Sequence, residues 1–217
     1  MRKFVAEALG TAFLLCVVVG SGIMGETLSE GNVAIALLAN SLATGMGLIV
    51  LILIFSPISG AHFNPVVTLS ALLGKKLALP TALLYFLFQI GGAFLGVWVA
   101  HLMFGKPVWM ISQHVRSGWA QCFSEGIATF GLLSVILGCK KYSTPVIAIA
   151  VGSYIISAYW FTSSTSFANP AVTMARAVTD TFSGIRPNDV LGFIVAQILG
   201  ASIAIYLFRW LEKEPKK

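Results

Sequence analysis

The sequence predicts an all-α membrane protein with six transmembrane helices plus two half-helices, built as an inverted 3+3 repeat. Three observations carry that expectation. Of 217 residues, 57% are hydrophobic and only 10% charged, with a mean hydropathy of +0.89, whereas a soluble domain carries about 25% charged residues. Six apolar stretches each approach the ~20 residues an α-helix needs to cross the hydrocarbon. Finally, two short polar breaks, Gly60-Ala61-His62-Phe63-Asn64-Pro65-Val66-Val67-Thr68 and Ser166-Phe167-Ala168-Asn169-Pro170-Ala171-Val172-Thr173, are copies of each other 105 residues apart.

The first span is expected at 4–24. Arg2 and Lys3 before it could open a signal peptide, but the run is long, contains Glu7 and lacks a small-x-small cleavage site, so it reads as a span. The second lies at 33–55, and then Asn64-Pro65 starts a short piece at 65–74. Asparagine then proline suits a helix start: a side-chain cap followed by a ring the first turn tolerates. The third span occupies 77–104, the fourth 119–138 and the fifth 144–161. Asn169-Pro170 starts the second short piece at 170–180, and the sixth span follows at 190–211. Strand-period alternation is absent, which argues against a β-barrel. The chain therefore reads as one channel domain, 1–217, with a first repeat half at 1–104, a connecting loop at 105–117, a second half at 118–211 and a cytoplasmic tail at 212–217.

The halves share three landmarks in the same order. Glu7-Ala8-Leu9-Gly10-Thr11 matches Glu125-Gly126-Ile127-Ala128-Thr129, the Asn-Pro segments match, and Gln89-Ile90-Gly91-Gly92-Ala93 matches Gln197-Ile198-Leu199-Gly200-Ala201. Three spans per half is an odd number, so the second copy enters the membrane from the opposite face, and the short helices meet near the midplane. Irregular backbone at that depth survives only when buried in protein or lining a wet cavity. Function is therefore expected at Asn64 and Asn169. Each amide can donate to a passing oxygen, and each helix start adds partial positive charge. Such a site suits neutral hydroxylated molecules and repels cations and protons. Glu7 and Glu125 are expected to be scaffold carboxylates that accept hydrogen bonds from the loop of their own half, because a residue kept in both halves serves each half's architecture. Gln89 and Gln197 are expected as interhelical donors. Gly10, Gly91, Gly92, Gly96 and Gly200 are expected at close helix contacts.

The formal charge of +6 invites a nucleic-acid partner, but the positions of the charges exclude one. Ten of the fourteen cations (Arg2, Lys3, Lys75, Lys76, Lys140, Lys141, Arg209, Lys213, Lys216 and Lys217) fall on one side, leaving Lys106, Arg116, Arg176 and Arg186 on the other. That bias places both termini in the cytoplasm of a multi-pass protein of the cell (inner) membrane. Cys16, Cys122 and Cys139 lie in or at the ends of spans, with no disulfide or metal spacing. No metal site, cofactor or nucleophile–base pair is visible, so an enzyme is not expected.

These motifs resemble the aquaporin, or major intrinsic protein, family. Ser59 to Thr68 looks like its first signature, with Val66 where alanine is usual, beside Pro65; Asn169-Pro170-Ala171 looks like its second. The resemblance covers the whole chain and implies a homotetramer with a pore in every subunit, passing water and small neutral solutes across the lipid bilayer. It also implies a narrow point with four contributors. Counting as in water-selective members gives Thr44 in span two and Ser157 in span five, with Ser153 and Tyr154 as neighbouring candidates, then Ser166 and Val172. The last position is nearly always arginine in the family. With four short uncharged groups the opening is expected to be wide. Arg176, one turn beyond Val172, is either a displaced arginine at the pore mouth or an outward-facing loop cation. The segment from Ser163 to Ala177 looks most like bacterial aquaglyceroporins of arsenic-resistance operons, which implies arsenite, As(OH)3, and glycerol-like polyols as solutes. A water-selective aquaporin is the alternative within the family. An ion-coupled secondary transporter is the alternative of another class, with Glu7, Glu125 and His62 as its available titratable groups.

Overall fold

A computed structural model describes residues 1–212. The tail expected at 212–217 therefore lies outside the described residues except for Glu212. Eight α-helices appear among the described residues: α1 (Arg2–Leu28), α2 (Val33–Ser59), α3 (Pro65–Leu73), α4 (Leu79–Met103), α5 (Trp119–Gly138), α6 (Thr144–Phe161), α7 (Pro170–Ala175) and α8 (Pro187–Leu211), with a 3-10 turn over Arg176–Val178. Six of them are long and apolar enough to cross a membrane. At 1.5 Å per residue the 27 residues of α1 reach about 40 Å, so its ends extend past the hydrocarbon.

The starts and stops follow local chemistry. Asn32 caps α2 through its side chain, which accepts from the amides of Ala34 and Ile35. Gly60 ends α2 in the left-handed region at φ 90°, where a side chain would be strained. Proline stands in the first turn of α3, α4, α6, α7 and α8, where its missing N–H is no loss. The second short helix stops at Ala175 rather than running to 180, and the chain tightens into the 3-10 turn.

The repeat is visible in the packing. α1 lies against α2 and α4, and in the second half α5 lies against α6 and α8; α2 against α6 joins the halves. Each half-helix reaches into the other half, α3 touching α8 and α7 touching α4, and the two meet each other. Equivalent glycines allow the long helices to close up. A Cβ on Gly92 would stand 2.2 Å from Ala8 O, and one on Gly200 would stand 2.1 Å from Gly126 O. Gly91 differs: a Cβ there meets open space, so the close contact expected for it is absent.

The connecting loop is a structured strap. Met110 N and Ser112 N donate to Val178 O and Ala177 O, and Arg186 N donates to His114 O. These bonds lay the loop over the 3-10 turn. Buried His101 joins in, its Nε2 2.7 Å from Thr179 Oγ1.

Gly200→Val should lower the unfolding midpoint in detergent by the equivalent of at least about 2 kcal/mol, because backbone cannot step aside for a new side chain. Gly91→Ala should leave stability unchanged or raise it by up to ~1 kcal/mol. Equal midpoints for the two variants would show that the close α5–α8 approach does not matter.

Candidate functional site

The two Asn-Pro loops are held by the same device. Glu7 is fully buried. It accepts from His62 N at 3.0 Å, Phe63 N at 2.7 Å and Ser59 Oγ at 2.6 Å. Glu125, equally buried, accepts from Phe167 N at 2.8 Å and Ala168 N at 2.9 Å. Gln89 Nε2 ties Glu7 to Thr68 Oγ1, and Gln197 Nε2 ties Glu125 to Thr173 Oγ1, all at 2.7–2.9 Å. Backbone strain makes the device necessary. Ala61 and Phe63 have φ of 51° and 50°, and Ser166 and Ala168 have 52° and 48°. Each costs on the order of 1–3 kcal/mol for a residue with a side chain, and charge-assisted bonds of about 1.5–3 kcal/mol each offset it. Each carboxylate thus accepts hydrogen bonds from the loop of its own half. In the register set by the asparagines, His62 corresponds to Phe167 and Phe63 to Ala168.

Asn64 and Asn169 then cross-link the loops. Asn64 Oδ1 accepts from Val66 N, and Asn169 Oδ1 accepts from Ala171 N and Val172 N, capping their own half-helices. Asn64 Nδ2 donates to Ala168 O at 2.8 Å, and Asn169 Nδ2 donates to Phe63 O at 2.9 Å. An amide nitrogen carries two hydrogens, so each asparagine keeps one donor. Both residues line one cavity of about 500 Å³. Pro65 and Pro170 occupy the first helical positions, Val66 and Ala171 the next, and both of the latter are buried.

The cavity wall consists of stripes at helical spacing: Thr44, Leu48, Ile52 and Ser56 from α2, Ile147, Val151, Ile155 and Tyr159 from α6, and Leu132 and Ile136 from α5. At the face bearing the described chain ends it reaches Lys76, Lys140, Arg209 and Glu212; at the opposite face it reaches Ser166, Val172 and Arg176. Three of the four expected constriction residues, Thr44, Ser166 and Val172, line it. Ser157 does not. It is exposed on α6, about 200° around the helix from both Ile155 and Tyr159 at 100° per residue. Ser153 is exposed as well, and Tyr154 Oη donates to Ala128 O. On α6 the cavity is lined at this level by Tyr159, whose hydroxyl donates to Thr44 Oγ1 at 3.3 Å. A count from the second box carried the wrong face, and α6 is apolar all round, so its hydrophobicity pattern could not reveal the pore side.

Of the two readings for Arg176, the inward one is observed. The side chain is 2% exposed and lines the cavity one turn beyond Val172. Its guanidinium carbon lies 3.4 Å from the centroid of the Phe167 ring, a cation–π contact, and Nε donates to Ser183 O. Arg116, from the connecting loop, is the staple of this mouth. Its Nε donates to Gly184 O, Nη1 to Ser164 O and Thr165 Oγ1, and Nη2 to Phe182 O. In the sequence it stood only as a topology marker. Burial and then the Arg116 charge push Arg176 down to about 9, so it stays cationic at neutral pH. Burial and then Arg116 and Arg176 lower His114, against the opposing pull of Asp180. Ser166 Oγ is buried and has no hydrogen-bond partner among the described residues. Among the described residues no cluster of His, Cys, Asp or Glu could hold a metal.

A cavity between two inverted half-helices, capped by paired asparagines, defines a membrane channel. The family comparison agrees: the Major intrinsic protein family matches over residues 1–146 and again over 138–216. The chain belongs to that family, and is a multi-pass membrane channel, not an enzyme. It is 51% identical to Aquaglyceroporin AqpS of Rhizobium meliloti strain 1021 over 210 residues, covering 97% of this chain and 90% of that one. It is 30% identical to Glycerol uptake facilitator protein-like 6 of Lactiplantibacillus plantarum, covering 99% and 100%. The X-ray structure of the aquaglyceroporin from Plasmodium falciparum shares the fold, with a TM-score of 0.73 at 22% identity over 95% of this chain and 94% of that one.

Asn169→Ala should remove both the cap and the bridge, lowering the unfolding midpoint by the equivalent of about 2–4 kcal/mol. Asn169→Ser keeps a capping oxygen but cannot reach Phe63 O, and should fall between alanine and wild type. A serine variant as unstable as the alanine one would mean that capping contributes nothing.

Proposed function

We propose that this chain is a passive channel for small neutral hydroxylated solutes and water, with glycerol-like polyols and arsenite, As(OH)3, as its solutes. The observation that carries this reading is the lining of the narrow end. Thr44 and Ser166 line it together with Val172 and Tyr159, a mixed polar and apolar surface suited to a polyol with one hydroxylated and one carbon-bearing edge. The filter position that family members usually fill with arginine is Val172, and the cation stands one turn further out at Arg176. Names of the relatives point the same way, since both aquaglyceroporins and a glycerol facilitator are among them.

The width inferred from four short groups is reduced by Tyr159, which replaces Ser157 in the set. The mixed polar and apolar lining remains. A coupled transporter is disfavoured because neither Glu7 nor Glu125 lines the cavity and each is spent on loop amides, while His62, which does line it, pairs through Nδ1 with Thr68 Oγ1 at 3.0 Å. We place the protein as a homotetramer in the inner membrane with both termini cytoplasmic, on the charge asymmetry and the family resemblance.

Proteoliposomes should take up glycerol and arsenite along their gradients with no ion gradient, and should also pass water. Water flux without either solute would overturn the proposal. Val172→Arg should cut glycerol and arsenite uptake about tenfold, close to 1.4 kcal/mol of added barrier, and reduce water flux less, because a long multiply donating cation fills the narrow end. Equal losses for water and solute would show that Val172 does not set solute size.

A further inference from the structure

Arg176 is a buried cation without a counter-charge. No carboxylate lies within ion-pairing distance among the described residues; the two ion pairs present there are Lys140 with Glu212 and Arg186 with Asp189. Glu125, beneath Phe167, is committed to two loop amides and Gln197. Arg176 makes one hydrogen bond to the chain, from Nε to Ser183 O. Among the described residues its two terminal nitrogens have no acceptor; they are not sealed from the cavity, and belong to a residue 2% exposed. Arg116 stands behind it, 5.0 Å from the same Phe167 ring, with all three of its nitrogens bonded to loop oxygens. One guanidinium thus has two free parallel donors facing the cavity, and the other contributes positive field without competing for a ligand.

We propose that this mouth is a binding site for a small oxyanion, with Arg176 as its donor and Arg116 as a fixed supporting charge. A guanidinium fork matches two adjacent oxygens of a phosphate-like or carboxylate group in bidentate fashion. An anion seated there lies across the path to Val172 and Ser166, so it obstructs neutral solutes. The site rests on the channel reading above for its effect on flux, but not for binding itself.

The test uses inorganic phosphate as the probe, on both sides of proteoliposome membranes, against chloride at equal ionic strength. Phosphate should slow glycerol uptake by the wild-type protein about threefold when roughly two thirds of the sites are filled. Arg176→Gln, which keeps a polar NH2 donor on a shorter side chain but loses the charge and the fork, should bring the phosphate-to-chloride ratio to one. Arg176→Lys should restore part of the block. In parallel, the phosphorus-31 resonance of phosphate should broaden with solubilised wild-type protein and not with Arg176→Gln, a readout that needs no flux. Absence of glycerol uptake in chloride would overturn the channel reading and leave the resonance to decide the site. Equal uptake in both salts with a sharp resonance would overturn the site, as would block or broadening that persists in Arg176→Gln. In the first of these cases Arg176 acts only as a barrier to cations.

Discussion

Backbone that leaves helical geometry inside a bilayer must find hydrogen-bond partners in the protein, because hydrocarbon offers none. Here that requirement is met twice by one buried carboxylate, Glu7 for the 60–64 loop and Glu125 for the 165–169 loop. Each accepts from two consecutive amides in a stretch where non-glycine residues are held at positive φ. With the amides spent on the carboxylates, the loops turn Phe63 O and Ala168 O toward each other's asparagine. The pore site follows from the scaffold: the asparagines converge because the loops are fixed, and the loops are fixed because the carboxylates are.

The supporting contacts extend from the same residues. Gln89 and Gln197 connect each carboxylate to the threonine three residues into its half-helix region, Thr68 or Thr173, so loop and half-helix move as a unit. Gly92 and Gly200 stand one turn further along α4 and α8 and bring those helices against α1 and α5, the helices bearing the carboxylates. The connecting loop and the second half together add what the first lacks, a mouth clamped by Arg116 and lined on one side by Arg176. That asymmetry sets one end of an otherwise repeated structure apart from the other.

Most of the architecture was legible in the sequence because it is written twice. The duplicated Glu, Asn-Pro and Gln landmarks gave the inverted halves, and the apolar lengths gave six spans with ends within a few residues of those observed, the widest departures being four residues at the ends of the first two. Thr44, Ser166 and Val172 were legible because they sit on a rigid stripe or adjoin a motif. Ser157 was misplaced because the count crossed an irregular loop, where one residue more or less rotates the helix face by about 100°. Arg116 carried no signal at all: its role depends on carbonyls at 164, 182 and 184 that are distant in the chain.

Hydrogen–deuterium exchange of Glu125→Gln in lipid nanodiscs addresses the carboxylate directly. Glutamine keeps the side chain's size but points an NH2 at one of the two amides that Glu125 now accepts from. The account predicts exchange at least about tenfold faster across 164–170, equivalent to the loss of ~1.4 kcal/mol of local protection, with the six spans still protected. Unchanged protection of that loop would contradict the claim that the buried carboxylate holds it.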